Sequence, residues 1–219
     1  MIDMFITFEG GEGTGKTTLI KDIQRRLSDR FSVVTTREPG GSLITEAIRD
    51  IILNPKYLGV TPYTEALLLA ASRAQHLDEV ILPALKEEKI VLCDRFIDSS
   101  LAYQAYARDL GFDFVLAINR YAVENMPNLT FYIDLDPKIG LSRIAHRDKY
   151  DRLDQETYNF HDKVREGYLK VASMYPNRII TIDGTKTIQE IENQIVDLIL
   201  SHLWRGPIIS SNKRFKKIV

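Results

Sequence analysis

The chain has 219 residues and a mass of 25.1 kDa; 44% of it is apolar and 27% charged, enough for one large core and short of two ordinary domains. Its 29 basic and 30 acidic side chains leave a net charge of −1, which argues against a nucleic-acid partner or a membrane surface. A single cysteine, Cys93, excludes an internal disulfide or multi-cysteine metal site, and the longest apolar run, Ala66 to Ala71, is six residues.

Apolar β-rich runs alternate with helical patterns. In chain order the sequence predicts a strand at Phe5 to Glu9, a helix at Thr17 to Asp29, and a strand at Ser32 to Thr36. Helices at Ser42 to Leu53 and Glu65 to Glu88 precede a strand at Ile90 to Asp94. A helix at Phe112 to Asn125, a strand at Leu129 to Asp134, and helices at Pro137 to Arg147 and Gln155 to Ser173 come next. The last pair is a strand at Arg178 to Asp183 and a helix at Thr187 to Leu203. Strand cores such as Ile90-Val91-Leu92-Cys93 are continuously apolar, as strands covered on both faces must be. The expectation is a three-layer α/β/α fold with a parallel sheet, forming one domain over residues 1–204. The N-terminus shows no basic leader before a glycine-rich motif, so the expected compartment is the cytoplasm. Residues 205–219 hold five basic residues and no acid, leaving about −6 on residues 1–204. This tail reads as a solvated appendage or a polyanion-binding one.

Gly10-Gly11-Glu12-Gly13-Thr14-Gly15-Lys16-Thr17 fits G-x-x-x-x-G-K-[ST] between a strand and a helix, and Thr18 continues it. Glycines let the backbone N–H groups curl inward around phosphate oxygens, and the helix dipole adds positive potential. Lys16 is placed to reach the β- and γ-phosphates of ATP, and Thr17 to ligate Mg²⁺. A dinucleotide fingerprint fails, because its third glycine position holds Lys16 or Thr18. A GTPase fails too: no aspartate stands three residues before a glycine, and Asn212-Lys213-Arg214-Phe215 lacks the guanine-reading acid.

Arginine placement favours phosphoryl transfer between two nucleotides. Arg37, with Glu38, and Arg95 follow strands directly; Arg49 and Arg73 lie on helices. Strand carboxyl ends form the ligand crevice of such a sheet, and an anionic acceptor needs cations there. Asp94 ends its strand where an acid can meet the metal shell. Arg143 and Arg147 share a helix face, and with Arg152 they suggest a flap over about 143–154 that excludes water. Cys93 reads as a core residue, the four histidines lack ligand spacing, and Tyr103 and Tyr106 fit either a nucleoside pocket or helix packing.

Phe8-Glu9-Gly10 with the phosphate loop, Arg37-Glu38-Pro39-Gly40-Gly41, Ala71-Ser72-Arg73, Asp94 to Gln104, and Asp151-Arg152-Leu153-Asp154-Gln155-Glu156 together resemble bacterial thymidylate kinases from about Met4 to Leu203. The resemblance implies transfer of the ATP γ-phosphate to dTMP with Mg²⁺, on a homodimeric five-stranded fold of order 2-3-1-4-5. It implies that Arg73 addresses the thymine carbonyl and that Ser100 and Gln104 line the base pocket. Arg37, Arg49 and Arg95 would face the acceptor phosphate, Glu12 the sugar 3′-hydroxyl, and the flap arginines the migrating phosphoryl group. Two positions depart from the family pattern: Phe96 stands where tyrosine is frequent, and Leu69 where a phenylalanine often stacks on the base. Two alternatives remain open: a related kinase for another nucleotide or deoxynucleoside, and a nucleotide-gated regulatory or nucleic-acid-binding protein using the tail.

Overall fold

The structure, a computed structural model, describes residues 4–145, 152–154 and 156–204. Five parallel strands form one sheet: β1 (Met4–Glu9), β2 (Val33–Arg37), β3 (Ile90–Asp94), β4 (Leu129–Asp134) and β5 (Ile179–Asp183), ordered β2-β3-β1-β4-β5. Fold class and strand order are those expected. Met4, Ile6 and Phe8, with Leu92 and Phe131, pack under α1 (Lys16–Leu27) and α10 (Ile188–Trp204). Phe5, Val91, Cys93 and Tyr132 face the opposite core, closed by Phe96, Leu101 and the Val164, Tyr168 and Val171 stripe of α9 (Tyr158–Met174). Among the described residues no helix is long and apolar enough to cross a membrane.

Local signals set several helix starts. Ser42 and Thr45 form a reciprocal capping box at α2 (Leu43–Leu53). Thr61 accepts the Thr64 N–H ahead of Pro62 at α3 (Pro62–His76), and Thr157 accepts the Phe160 N–H at α9.

Three stretches differ from expectation. The helix expected from Glu65 to Glu88 starts at Pro62 and widens into π-turns over Leu77–Ile81 before α4 (Leu82–Lys86). Pro83 has no N–H to return to the preceding turn, and the wider turn accommodates that loss. The helix expected from Phe112 to Asn125 is split into α6 (Phe112–Ile118) and α7 (Arg120–Val123). Asn119, at the break, donates its amide to the Val115 carbonyl and accepts Arg73 on its oxygen. Between 94 and 112 the sequence signals no helix, yet α5 (Ile97–Ser100) continues in wide turns over Leu101–Ala107. Residues 97–105 are all buried, so no polar face marks the helical period.

Strand register then builds the crevice. Phe8 lies opposite Asp94, and Asp94 opposite Arg37, so β1, β2 and β3 end together. The chain leaving these three strands, at residues 10–17, 38–41 and 95–96, shares one edge where the strand order reverses. α8 (Pro137–Ile144) enters the same edge after β4. His146, Arg147, Asp151, Gln155 and the tail 205–219 lie outside the described residues.

Candidate active site

Gly13 (φ 68°) and Gly15 (φ 84°) adopt left-handed conformations that a side chain would strain. Gly13 also meets α8 backbone to backbone: a Cβ on it would overlap the Gly140 carbonyl, and a Cβ on Gly140 would overlap the Glu12 carbonyl. Lys16 crosses this loop, its Nζ donating to the Gly10 and Gly11 carbonyls at 3.0 and 2.9 Å and to Thr14 Oγ1 at 3.1 Å. Burial, reinforced by Arg95, pushes the Lys16 ammonium down to about 8 against the pull of Asp94 and Glu12. Thr17 Oγ1 donates to Asp94 Oδ2 at 2.9 Å.

Arg95 sits at φ 71°, a left-handed conformation rare for a residue with a side chain and costly by roughly 1–3 kcal/mol. Its N–H donates to the Phe8 carbonyl, which fixes the turn onto β1. The guanidinium then donates to the Gly10 carbonyl at 2.9 Å, Tyr168 Oη at 3.0 Å and Glu12 Oε1 at 2.6 Å. Tyr103 Oη reaches the same Glu12 oxygen at 2.9 Å. Burial alone would raise the Glu12 carboxyl, but Arg95, Lys16 and Tyr103 outweigh it and hold it at about 2. Glu12 is thus an anion whose Oε1 is shared by Arg95 and Tyr103. Beneath it, Glu9 ends β1 and accepts the Phe96 N–H at 2.8 Å, Ser99 Oγ at 2.6 Å and Tyr168 Oη at 2.9 Å. Burial, then the nearby Asp98, push its carboxyl up to about 7, against those donors.

Two of the cavities that open on this framework adjoin each other. One is lined by Glu12 to Thr18, Arg37, Glu38, Arg49, Asp94, Arg95 and Asp154. The other is lined by Glu12, Glu38, Pro39, Arg49, Leu53, Leu69, Arg73, Arg95, Ser99, Ser100, Tyr103, Gln104 and Leu153. Glu12, Glu38, Arg49 and Arg95 belong to both, so the cavities share a wall of two acids and two arginines.

The floor of the second cavity is a buried polar chain. Arg73 Nε donates to Glu38 Oε2 at 2.7 Å, its Nη1 to Asn119 and its Nη2 to the Phe96 carbonyl at 3.2 Å. Glu38 Oε1 meets His76 Nδ1 at 3.0 Å, and His76 Nε2 meets Thr36 Oγ1 at 2.6 Å.

The sequence pattern of thymidylate kinases matches residues 8–195. The chain is 56% identical over 203 residues to the thymidylate kinase of Acholeplasma laidlawii (strain PG-8A), covering 91% of this chain and 100% of that one. The chain belongs to the thymidylate kinase family. A thymidylate kinase of Geobacillus sp. (strain WCH70) is 54% identical over 191 residues, covering 85% of this chain and 91% of the relative. The crystal structure of thymidylate kinase from Ehrlichia chaffeensis superposes with a TM-score of 0.74 at 31% identity, covering 91% of this chain and 100% of that chain.

Within this thymidylate kinase fold, most residues singled out from sequence meet at the two cavities. Leu69 is 9% exposed and lines the second cavity beside Arg73. Ser100 and Tyr103 line it too, whereas Tyr106 points out to Glu166. Arg37 lines the first cavity and pairs with Glu46 at 2.7 Å; Arg49 donates to the Pro39 carbonyl at 2.7 Å. Arg143 is exposed at the end of α8, its Nη1 3.4 Å from the Gly13 carbonyl.

Arg152 lies away from both cavities. It is expected over the phosphate loop, but its guanidinium is buried on Glu65 and the Ile52 carbonyl, and it lines neither cavity. The buried carboxylate of Glu65 offers an unscreened partner that the open phosphate edge does not. Its neighbours Leu153 and Asp154 reach the cavities instead. The sequence reading assigned no role to Glu9, Ser99, Glu65, His76 or Asn119. Glu9 and Ser99 stand inside the motif blocks, and a polar residue at an inward helical position was the available signal for Glu65 and His76.

Proposed function

We propose that the protein transfers the γ-phosphoryl group of ATP to the 5′-phosphate of dTMP, giving dTDP and ADP. The observation that carries this reading is the wall of Glu12, Glu38, Arg49 and Arg95 shared by the phosphate-loop cavity and the second cavity. Transfer between two phosphates needs the attacking and migrating groups side by side with their repulsion screened. Lys16 and the loop N–H groups hold the donor; Arg95 and Arg49 hold the acceptor phosphate. That phosphate is largely dianionic near neutral pH, its second pKa being about 6, so no side chain need remove a proton. Glu12, kept ionised, accepts the sugar hydroxyl. Arg73 and Gln104 address the base: Gln104 donates its amide nitrogen to Glu65 at 2.8 Å, which leaves the carbonyl end for the base. Arg143 supplies charge at the open edge.

Thr17 Oγ1 and Asp94 Oδ2 form a pair of hard oxygen donors beside the loop, which suits Mg²⁺, an ion that takes one or two protein oxygens and fills its shell with water and phosphate. Among the described residues no cluster of three acidic, histidine or cysteine side chains offers a denser metal cage. When bound there, the ion neutralises charge on the β- and γ-phosphates. Exposed Ile44 and Ile51 of α2, and Tyr63 and Leu67 of α3, give an apolar face that supports a homodimer. ATP as donor makes the cytoplasm the working compartment.

A panel of nucleoside monophosphates and deoxynucleosides, each with ATP and Mg²⁺, tests the reading. The expected outcome is a kcat/KM for dTMP far above that for dCMP, dGMP, AMP or thymidine. Preference for any of these over dTMP overturns it.

A further inference from the structure

Glu65 stands in the first turn of α3, where an acid usually faces solvent and complements the helix dipole, yet it is 1% exposed. A carboxylate that deep is held only by partners that replace water. Its Oε1 accepts Gln104 Nε2 at 2.8 Å, and its Oε2 accepts the Arg152 guanidinium. Arg108 spans both oxygens at 3.4–3.5 Å and goes on to Glu156 at 2.5 Å. Two acids and two arginines therefore balance in charge around a buried Glu65. Packing alone does not ask for this arrangement, because the two oxygens lead to different places. Gln104 lines the acceptor cavity. Arg152 carries Leu153 into that cavity and Asp154 into the phosphate cavity, with its own N–H and Nε tied to the Leu53 and Ile52 carbonyls.

We propose that Glu65 is a positioning residue that couples occupancy of the acceptor cavity to the 152–154 segment at the phosphate cavity, through Gln104 on one oxygen and Arg152 on the other. The proposal rests on the reading of these cavities as acceptor and donor sites. A base that engages the Gln104 amide settles its nitrogen on Glu65; that sets the carboxylate plane, and with it the direction from which Arg152 is held. Leu153 and Asp154 move with Arg152 because they are its chain neighbours. Coupling of this kind is reciprocal: dTMP tightens the donor site by the factor by which the donor tightens dTMP binding.

The test is calorimetric titration of the full chain with a non-hydrolysable ATP analogue and Mg²⁺, with and without saturating dTMP. Wild type is expected to bind the analogue about fivefold or more tightly with dTMP present, within the usual range of coupling. Glu65→Gln keeps the size and one acceptor but loses the charge, and the factor is expected to fall to within about twofold of unity. A role in stability alone would lower the melting temperature and leave the factor unchanged. If Glu65→Gln does not fold, Arg152→Lys carries the same test: it keeps a cation, loses the fork, and should lose most of the coupling. No dTMP binding by wild type overturns the acceptor reading and the proposal with it. Binding of dTMP without coupling in wild type, or coupling retained in the folded variants, overturns the proposal and leaves the acceptor reading standing.

Discussion

The phosphate loop and the acceptor cavity share a wall but are built in opposite ways. The loop is one run of consecutive residues, shaped by main-chain geometry at Gly13 and Gly15 and by Lys16 bonds to main-chain carbonyls. The cavity is gathered from side chains between Glu12 and Leu153, held by ion pairs such as Arg73 with Glu38 and Arg95 with Glu12. One site is fixed by what its residues are; the other is fixed by what each of them touches. A change in the loop should therefore strike chemistry, and a change in the cavity should strike affinity or coupling.

Lys16→Ala puts that contrast under the greatest strain. On the proposed mechanism Lys16 follows the migrating phosphoryl group, and its loss should lower kcat by roughly 100-fold or more. The fold should persist, because Lys16 belongs to neither hydrophobic core. Steady-state kinetics beside a melting curve check both halves of this expectation. Near-normal dTMP phosphorylation by a folded variant would remove the loop from the mechanism.

A second prediction concerns Glu9, the joint between the two regions. Its carboxyl is raised from 4.5 to about 7 by burial, so the folded chain holds a proton there that the unfolded chain has released. Its contribution is present in full at low pH and is lost as pH rises through about 7. Against wild type, Glu9→Gln should gain relative stability between pH 5 and 8, by at most roughly 3 kcal/mol. Glutamine can still accept the Phe96 N–H and meet the Ser99 and Tyr168 hydroxyls, which can rotate to accept. Urea unfolding at several pH values measures the difference; one independent of pH would mean that Glu9 is ionised throughout.

The smallest effect is expected at Leu69, which faces the cavity beside Arg73. Leu69→Phe should add a ring for the base to stack on, worth roughly 0.5–1.5 kcal/mol, and lower KM for dTMP about two- to tenfold. Turnover should hardly move, since the contact is equal in ground and transition states. Overpacking against Leu53 or Leu153 would instead appear as a loss of roughly 1–3 kcal/mol in stability.

The contrast also explains what was legible in the sequence. The strands, their order through the family resemblance, and the loop could be read because continuous apolar runs and a contiguous motif are local signals. Arg73, Ser100 and Gln104, which line one cavity, stand in the motif blocks, while Glu65 and Asn119, which support Gln104 and Arg73, do not. Glu65, His76 and Asn119 are ordinary polar residues whose meaning appears only when α3, the residues after α5 and the break between α6 and α7 come together. The helical run after Ile97 has no bounds in the sequence beyond the ambiguous Tyr103 and Tyr106, because burial on every side erases the period that betrays a helix. The partner of Arg152 is hidden for the same reason: nothing local in its charged neighbourhood points to the buried carboxylate of Glu65 in α3.

The contact of Gly13 with Gly140 has a consequence for how this enzyme can change over generations. Each glycine is closed to substitution by main chain on the opposite side, so no altered side chain on the partner makes room. Compensatory mutation, the ordinary escape from a steric block, has no purchase at this junction. Variation must reach the phosphate edge by other routes, through side chains of the cavity wall or through the length of chain beyond α8. An experimenter evolving a new donor or acceptor preference should leave both glycines out of the library and spend its diversity on those two routes.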